Sequence, residues 1–235
     1  MIVTPSSSPR LTRNDDVRDG RSRTAWFGRF MRISHRVIIG CVGIACLLLS
    51  VASSPLAAQD VVSREYEIKA GVLSLLGKFV TWPDAVAPTP QRPLTIGVLG
   101  KDPFEEGGVN QLDQTVVAER AKGRQIVIRR FDSAKDYEPC HILYVSDTAT
   151  EKSIEQAFPV RLAAALKLTA GKPVLLAGAA PKLASRGVAA NMLFDRANNR
   201  IQLELNPDAA NRNGLKFAPQ LLRLPVVQIV RDAKD

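Results

Sequence analysis

Cys140 and His141 are neighbours, and a thiol beside an imidazole could pair a nucleophile with its general base. Their position argues against that chemistry. They lead into the apolar run Ile142–Val145, which reads as a strand, and successive residues of a strand point to opposite faces. His141 therefore reads as a residue at the start of a strand with a backbone partner. Cys140 reads as a small buried apolar residue, with an intermolecular disulfide or a redox role as the sharper alternative. No other histidine follows residue 58 and no C-x-x-C occurs, so a histidine or thiolate metal cluster is not expected. Glu105-Glu106 are adjacent carboxylates that read as solvated, and no calcium-loop spacing is present. Gly97-Val98-Leu99-Gly100-Lys101 follows an apolar run but matches neither phosphate-binding glycine motif, so Gly97 reads as a close-packing residue. There is no G-x-S-x-G. The residues favour a protein that is not an enzyme and carries no cofactor.

The elements around these residues alternate. In Glu65–Pro83, Ile68, Val72, Leu75, Leu76 and Phe79 recur at helical spacing, with Lys69 and Lys78 off the centre of that face and Trp82-Pro83 as the stop. The proline-rich stretch 84–93 reads as a surface loop. Leu94–Leu99, Arg124–Arg130, Ile142–Val145 and Pro173–Ala177 read as strands, and Phe104–Leu112 as a short helix weakened by Gly107-Gly108. Thr150–Leu166 reads as a helix that Pro159 should kink or split. Val188–Phe194 and Arg200–Leu205 read as a hairpin around Asp195–Asn199. Asn206–Asn213 reads as a helix with Asn206 as N-cap, Pro207 at its first position and Gly214 as its stop. A last helical turn at Pro219–Leu224 and a short strand at Pro225–Val230 close the chain. The order predicts an α/β fold: a single three-layer domain, its mostly parallel sheet flanked by helices, with a C-terminal antiparallel hairpin.

The first 58 residues read differently. Eight arginines and three aspartates precede the uncharged run Val37–Ala52, and small residues follow. That is the layout of an export signal, with cleavage expected near Ala58/Gln59. An uncleaved anchor is the alternative, although 16 uncharged residues fall short of the roughly 20 that a membrane helix needs. A lipid on Cys41 or Cys46 and a start nearer Met31 are further alternatives. The leader carries +5 of the net +9, so the expected domain 59–235 is only +4 and shows no basic run interleaved with aromatics. Nucleic acid is not an expected partner.

Several fragments resemble, in order, the YfiR-like family of exported bacterial regulators. They are Glu65-Tyr66, Ile68-Lys69-Ala70, Lys78-Phe79-Val80 and Trp82-Pro83, then Ile96–Gly100 with Asp102-Pro103-Phe104, then Cys140–Ser146. Asn191, Leu203–Asn206, Gly214-Leu215-Lys216 and Gln220–Leu224 continue the match. The chain departs from the family at Ser74-Leu75-Leu76 and at Ala218-Pro219. The resemblance implies a periplasmic regulator that restrains a membrane-bound diguanylate cyclase through the cyclase's periplasmic region, and so lowers cyclic-di-GMP. The alternative is a periplasmic ligand-binding module for a cell-wall fragment or small metabolite. Its pocket would lie at the carboxyl ends of the strands, near Gly100–Phe104 and Ser146-Asp147.

The partner implied is the periplasmic domain of an inner-membrane signalling protein, and a homodimer is a further option. The membrane is met only through the export signal. Trp82 and the loop after it, together with Leu221–Leu224, would form an apolar contact patch, unless Trp82 and these leucines are core. Lys69, Asn191, Glu204 and Asn206 are the polar candidates from the motif match. Their structural alternatives are hydrogen bonding to the sheet for Asn191 and helix capping for Asn206.

Overall fold

Short apolar strands buried on both faces assemble the centre of this protein. The computed structural model describes residues 56–106, 108–148 and 154–233. The expected leader therefore lies outside the described residues, apart from its last three positions. Those open α1 (Leu56–Phe79), a helix that begins earlier than the sequence predicts.

Strands β1 (Val80–Thr81) and β2 (Leu94–Leu99) follow, then the two-residue strands β3 (Glu105–Glu106) and β4 (Val109–Asn110). Next come α2 (Gln111–Ala121), β5 (Ile126–Phe131), β6 (Ile142–Val145), α3 (Ile154–Thr169) and β7 (Leu175–Gly178). The hairpin β8 (Ala190–Asp195) and β9 (Arg200–Leu205) leads to α4 (Pro207–Arg212), β10 (Lys216–Phe217), α5 (Pro219–Leu222) and β11 (Val227–Ile229).

One sheet holds seven strands in the order β11-β9-β8-β7-β6-β2-β5. Only β8 and β9 run antiparallel, and the other neighbours are parallel. Two small antiparallel pairs, β1 with β10 and β3 with β4, lie beside it. The α/β fold with a mostly parallel sheet and a C-terminal hairpin is the one the sequence predicts.

Alternation sorts the side chains into two cores. Ile96, Val98, Ile142, Tyr144, Leu175 and Ala177 pack with α1 and α2 on one face. Leu99, Leu143, Val145 and Leu176 pack with Leu162 and Ala165 of α3 on the other.

Four local readings change. The buried face of α1 is Ala70, Leu73 and Leu76, together with Lys69 and Ser74. Ile68, Val72, Leu75 and Phe79 are only half-buried, so the helix is rotated relative to the apolar stripe. The helix ends at Phe79 because Val80-Thr81 leaves it to pair with Phe217 and Lys216. The helix expected at Phe104–Leu112 is instead the β3–β4 hairpin, and α2 starts after it. There Asn110 caps the backbone N–H groups of Leu112 and Asp113. Finally, α3 runs continuously through Pro159. Proline removes one donor there without breaking the helix, whose inner face is secured by Leu162 and Ala165 against the sheet.

Gly97 sits in β2, an interior strand, where three side chains converge. A Cβ there would lie 2.8 Å from Phe131 Cε2, 3.0 Å from Cys140 Sγ and 3.1 Å from Leu143 Cδ1. Gly97→Ala is expected to destabilise the fold by about 1–3 kcal/mol through overpacking, measured by urea unfolding.

Candidate functional site

The polar residues singled out by motif do not converge. Lys69 faces the α1 side of the sheet, where its ammonium pairs with Glu65 Oε1 at 2.5 Å and lies 5.0 Å from the centre of the Tyr66 ring. Arg196, in the β8–β9 turn, reaches the other Glu65 oxygen at 3.0 Å. This chain of charges ties α1 to the hairpin turn, and removing one partner would leave a buried charge unpaired.

Asn191 and Glu204 are cross-strand partners in β8 and β9, and with Asn206 they belong to the opposite face. Asn191 Nδ2 donates to Ala180 O at 3.0 Å and to Glu204 Oε2 at 2.8 Å, while its Oδ1 is buried without a partner. Asn206 caps α4 by accepting from Ala209 N, and its Nδ2 donates to Ala184 O and Asp232 Oδ1, both at 2.7 Å. These three side chains hold the loop between β7 and β8 and the C-terminal tail onto the sheet.

The proposed apolar patch also divides. Trp82 is 4 % exposed and Leu221 is fully buried, so neither presents an apolar surface. Trp82 packs edge-on against His141, with ring centroids 5.8 Å apart. Leu224 remains 37 % exposed, and beside it Val226 and Ile229 are 45 % and 50 % exposed. These three apolar residues follow one another along β11 and the turn before it. Among the described residues no strand flanks the far side of β11, and of its backbone groups there Val227 N is already taken by Leu224 O at 2.9 Å. The other sheet edge, β5, carries Arg129 and Arg130, each engaged with carboxylates. The apolar edge of β11 is therefore the candidate interaction surface. The sequence placed Leu224 there but not Val226 or Ile229, whose exposure follows from the sheet order. Trp82→Ala should cost about 3–5 kcal/mol of stability, read from the urea midpoint, as expected of a core residue.

Cavities also lie among the described residues. The carboxyl ends of β2 and β6 are closely packed among the described residues. Phe104 and Ser146 are fully buried, and the Arg161 guanidinium lies over Gly100 and donates to Ser146 O. At the β3–β4 hairpin about 430 Å³ of open space is bounded by Glu105, Asn110, Asp113 and Arg130. Arg130 already bridges Asp102 at 2.6 Å and Asp113 at 3.0 Å. A second cavity of about 380 Å³ lies between α1 and the start of β5, near Lys78, Pro90 and Arg124. Beside it, Glu119 is buried and its pKa is lowered. Burial opposes the shift, but Lys122, Arg124 and Lys78 together outweigh it.

A third cavity of about 420 Å³ opens at the amino ends of β6 and β7, under the loop 83–93. His141 forms part of its wall. Its Nδ1 accepts from Thr95 N at 2.9 Å, and Nε2 donates to Val86 O at 2.8 Å. Each ring nitrogen has one assigned role, so the imidazole is neutral and clamps the loop to β2. This is the backbone partnership expected of it.

Burial is the largest cause lowering the His141 pKa, and Arg92 adds to it. Burial likewise pushes the Cys140 thiol up to about 12, so the free thiol is protonated and a poor nucleophile. Among the described residues no group of His, Cys, Asp and Glu could hold a metal ion.

A lowered folded-state pKa means that the unfolded chain binds the His141 proton first. Its stabilisation is complete above about pH 6.5 and is lost as the pH falls below that value. His141→Gln should lower stability at pH 7.5 and flatten the decline between pH 7 and pH 5, followed by urea unfolding across that range.

The description YfiR/HmsC-like matches residues 66–225. No curated protein matches the chain. Among solved structures, a conserved domain protein from Vibrio cholerae O1 biovar eltor str. N16961 is similar at 17 % identity and a TM-score of 0.36, over 59 % of this chain and 54 % of that one. The ABC domain in complex with L-Trp from Streptococcus pneumonia is similar at 13 % identity and a TM-score of 0.36, over 61 % of this chain and 57 % of that one. The chain thus spans little more than half the length of either structure.

Proposed function

The chain belongs to the YfiR/HmsC-like family, and from that premise we propose that it is an exported, non-enzymatic regulator of cyclic-di-GMP signalling. In this reading it restrains a membrane-bound diguanylate cyclase by binding the cyclase's periplasmic region. The family match over residues 66–225 is the observation that carries the proposal. The geometry is compatible with it. No helix among the described residues is long and apolar enough to cross a membrane. The Cys140 thiol is buried and protonated, and both nitrogens of His141 are committed to backbone groups.

The contact is assigned to the β11 edge. A segment of the partner would add to the sheet beside Val227–Ile229, with Leu224, Val226 and Ile229 covering its apolar side chains. Restraint then requires that the partner's inactive conformation bind this edge more tightly than the active one.

The test is intracellular cyclic-di-GMP in a strain lacking the protein, complemented by three forms. Deletion is expected to raise the level, and the exported wild type to restore it. A leaderless form, and an exported Val226→Asp/Ile229→Asp variant with an unchanged melting temperature, should both fail to restore it. An unchanged level on deletion would sink the cyclase reading. Full restoration by the double variant would remove the β11 edge from it.

A further inference from the structure

We propose that the cavity at the amino ends of β6 and β7 binds a small amphipathic carboxylate, with its apolar body inside and its anionic head between Arg92 and Lys172. This site is separate from the β11 edge and independent of the regulatory reading.

The first argument is the character of the walls. Val86, Pro139, Pro173 and Val174 supply apolar surface, and Tyr137 and Cys140 add an aromatic ring and a thiol. The remaining polar wall, His141, has both nitrogens committed to the backbone. It offers an incoming polar group nothing without losing a bond. The cavity volume, about 420 Å³, lies within the ~300–1,000 Å³ usual for small-molecule sites.

The second argument is charge. The lining contains two cations, Arg92 and Lys172, and no carboxylate. Arg92 is positioned rather than loose. Its Nη1 donates to Ala85 O at 2.6 Å and to Ala87 O at 3.3 Å, which fixes the guanidinium over the loop and leaves its other donors available. Neither cation has an ion-pair partner among the described residues, in contrast to Arg124, Arg129 and Arg130. Of the acidic residues next to lining residues in sequence, Glu138 is held by Arg129 at 2.5 Å, Asp136 accepts from Ser133, and Asp84 is exposed to solvent. An apolar chamber flanked by two uncompensated cations complements a ligand with one negative end. A guanidinium suits a carboxylate because its planar donors match both oxygens.

The third argument is preorganisation. The roof is the loop 83–93, which is fixed by Val86 N and Ala87 N donating to Pro83 O, each at 2.9 Å, by the His141–Val86 bond and by the Thr89–Arg92 bridge. A ligand entering this chamber need not order the loop first.

The probe is 3-phenylpropanoate, with its uncharged amide as the control, titrated calorimetrically into the full chain at low and moderate salt. The wild type should bind the carboxylate at least about fivefold more tightly than the amide, with the preference shrinking as salt rises. Lys172→Gln, and Arg92→Lys, which keeps charge but not planarity, should each weaken carboxylate binding and change amide binding less than about twofold. Ala85→Trp places bulk at the chamber and should abolish binding of both while leaving the melting temperature unchanged. No binding by the wild type overturns the proposal. So does carboxylate binding that survives Ala85→Trp in the folded protein, or a carboxylate-to-amide preference unaltered by both charge variants.

Discussion

Burial of the sheet on both faces is the constraint from which the rest of this structure follows. Every side chain of β6 and β7 is buried, and in β2 only Thr95 is not. A polar group in such a place must find a partner or cost about 1–3 kcal/mol. Several polar residues of the interior have accordingly been recruited as backbone partners. His141 takes the Thr95 N–H and gives to Val86 O. Asn191 gives to Ala180 O, and Asn206 gives to Ala184 O while capping α4. Lys69 meets the same constraint with a carboxylate in place of a carbonyl. These residues bear reactive functional groups, yet most of their hydrogen bonds hold loops to the sheet; Asn191 Oδ1, Tyr144 OH and Trp82 Nε1 are buried without a partner. Recognition is left to the places where the two cores end: the strand termini and the sheet edges.

Periodicity made the centre of the fold legible because burial on both faces demands continuous apolar runs. Leu94–Leu99 and Ile142–Val145 are strands over the bounds their composition predicts. The hairpin was equally plain, since Arg200–Leu205 alternates and a polar turn precedes it. The caps of α4 were readable from Asn206, Pro207 and Gly214, each at the position its backbone geometry favours. Helix α2 was not readable. Its buried residues are Leu112 and Glu119, too sparse a pattern to register as a stripe, and its best signal was the Asn110 cap behind two glycines. The rotation of α1 was hidden for a related reason. Lys69 is buried only because Glu65, one turn away, and Arg196, far along the chain, meet there, and no local pattern announces a pairing across 131 positions.

The same logic explains where the residues named by resemblance fall. Motif resemblance found residues that matter to the architecture, and it named Trp82, Asn191 and Asn206 without regard to whether solvent or a partner could reach them. The exposure of Val226 and Ile229 depends on β11 being the last strand of the sheet, and that follows from pairing with β9 rather than from anything within the segment. The chamber beneath the loop 83–93 is likewise assembled from three distant stretches. Arg92 looks like an ordinary loop residue until the chain brings Lys172 to the same opening.

The chamber and the edge are joined by a continuous run of structure. The loop 83–93 leaves from Trp82 and β1, and β1 pairs with β10 through Val80–Phe217 and Thr81–Lys216. Ala218 N then donates to Phe79 O at 2.7 Å, at the start of α5, which leads to Leu224 and β11. Continuity of this kind is not coupling. A ligand in the chamber changes affinity at β11 only if it binds two arrangements of the protein unequally, and then only by that difference. The buried junction at Trp82, Val80 and Phe217 is tightly packed, and packed cores switch between discrete arrangements rather than deform gradually. Along this run, a signal from the chamber to the edge would pass as a repacking of that junction or as a register change in the two-residue β1–β10 pair. Of the two, the β1–β10 pair is the weaker element: it has only two residues in each strand, and among the described residues no further strand joins either side.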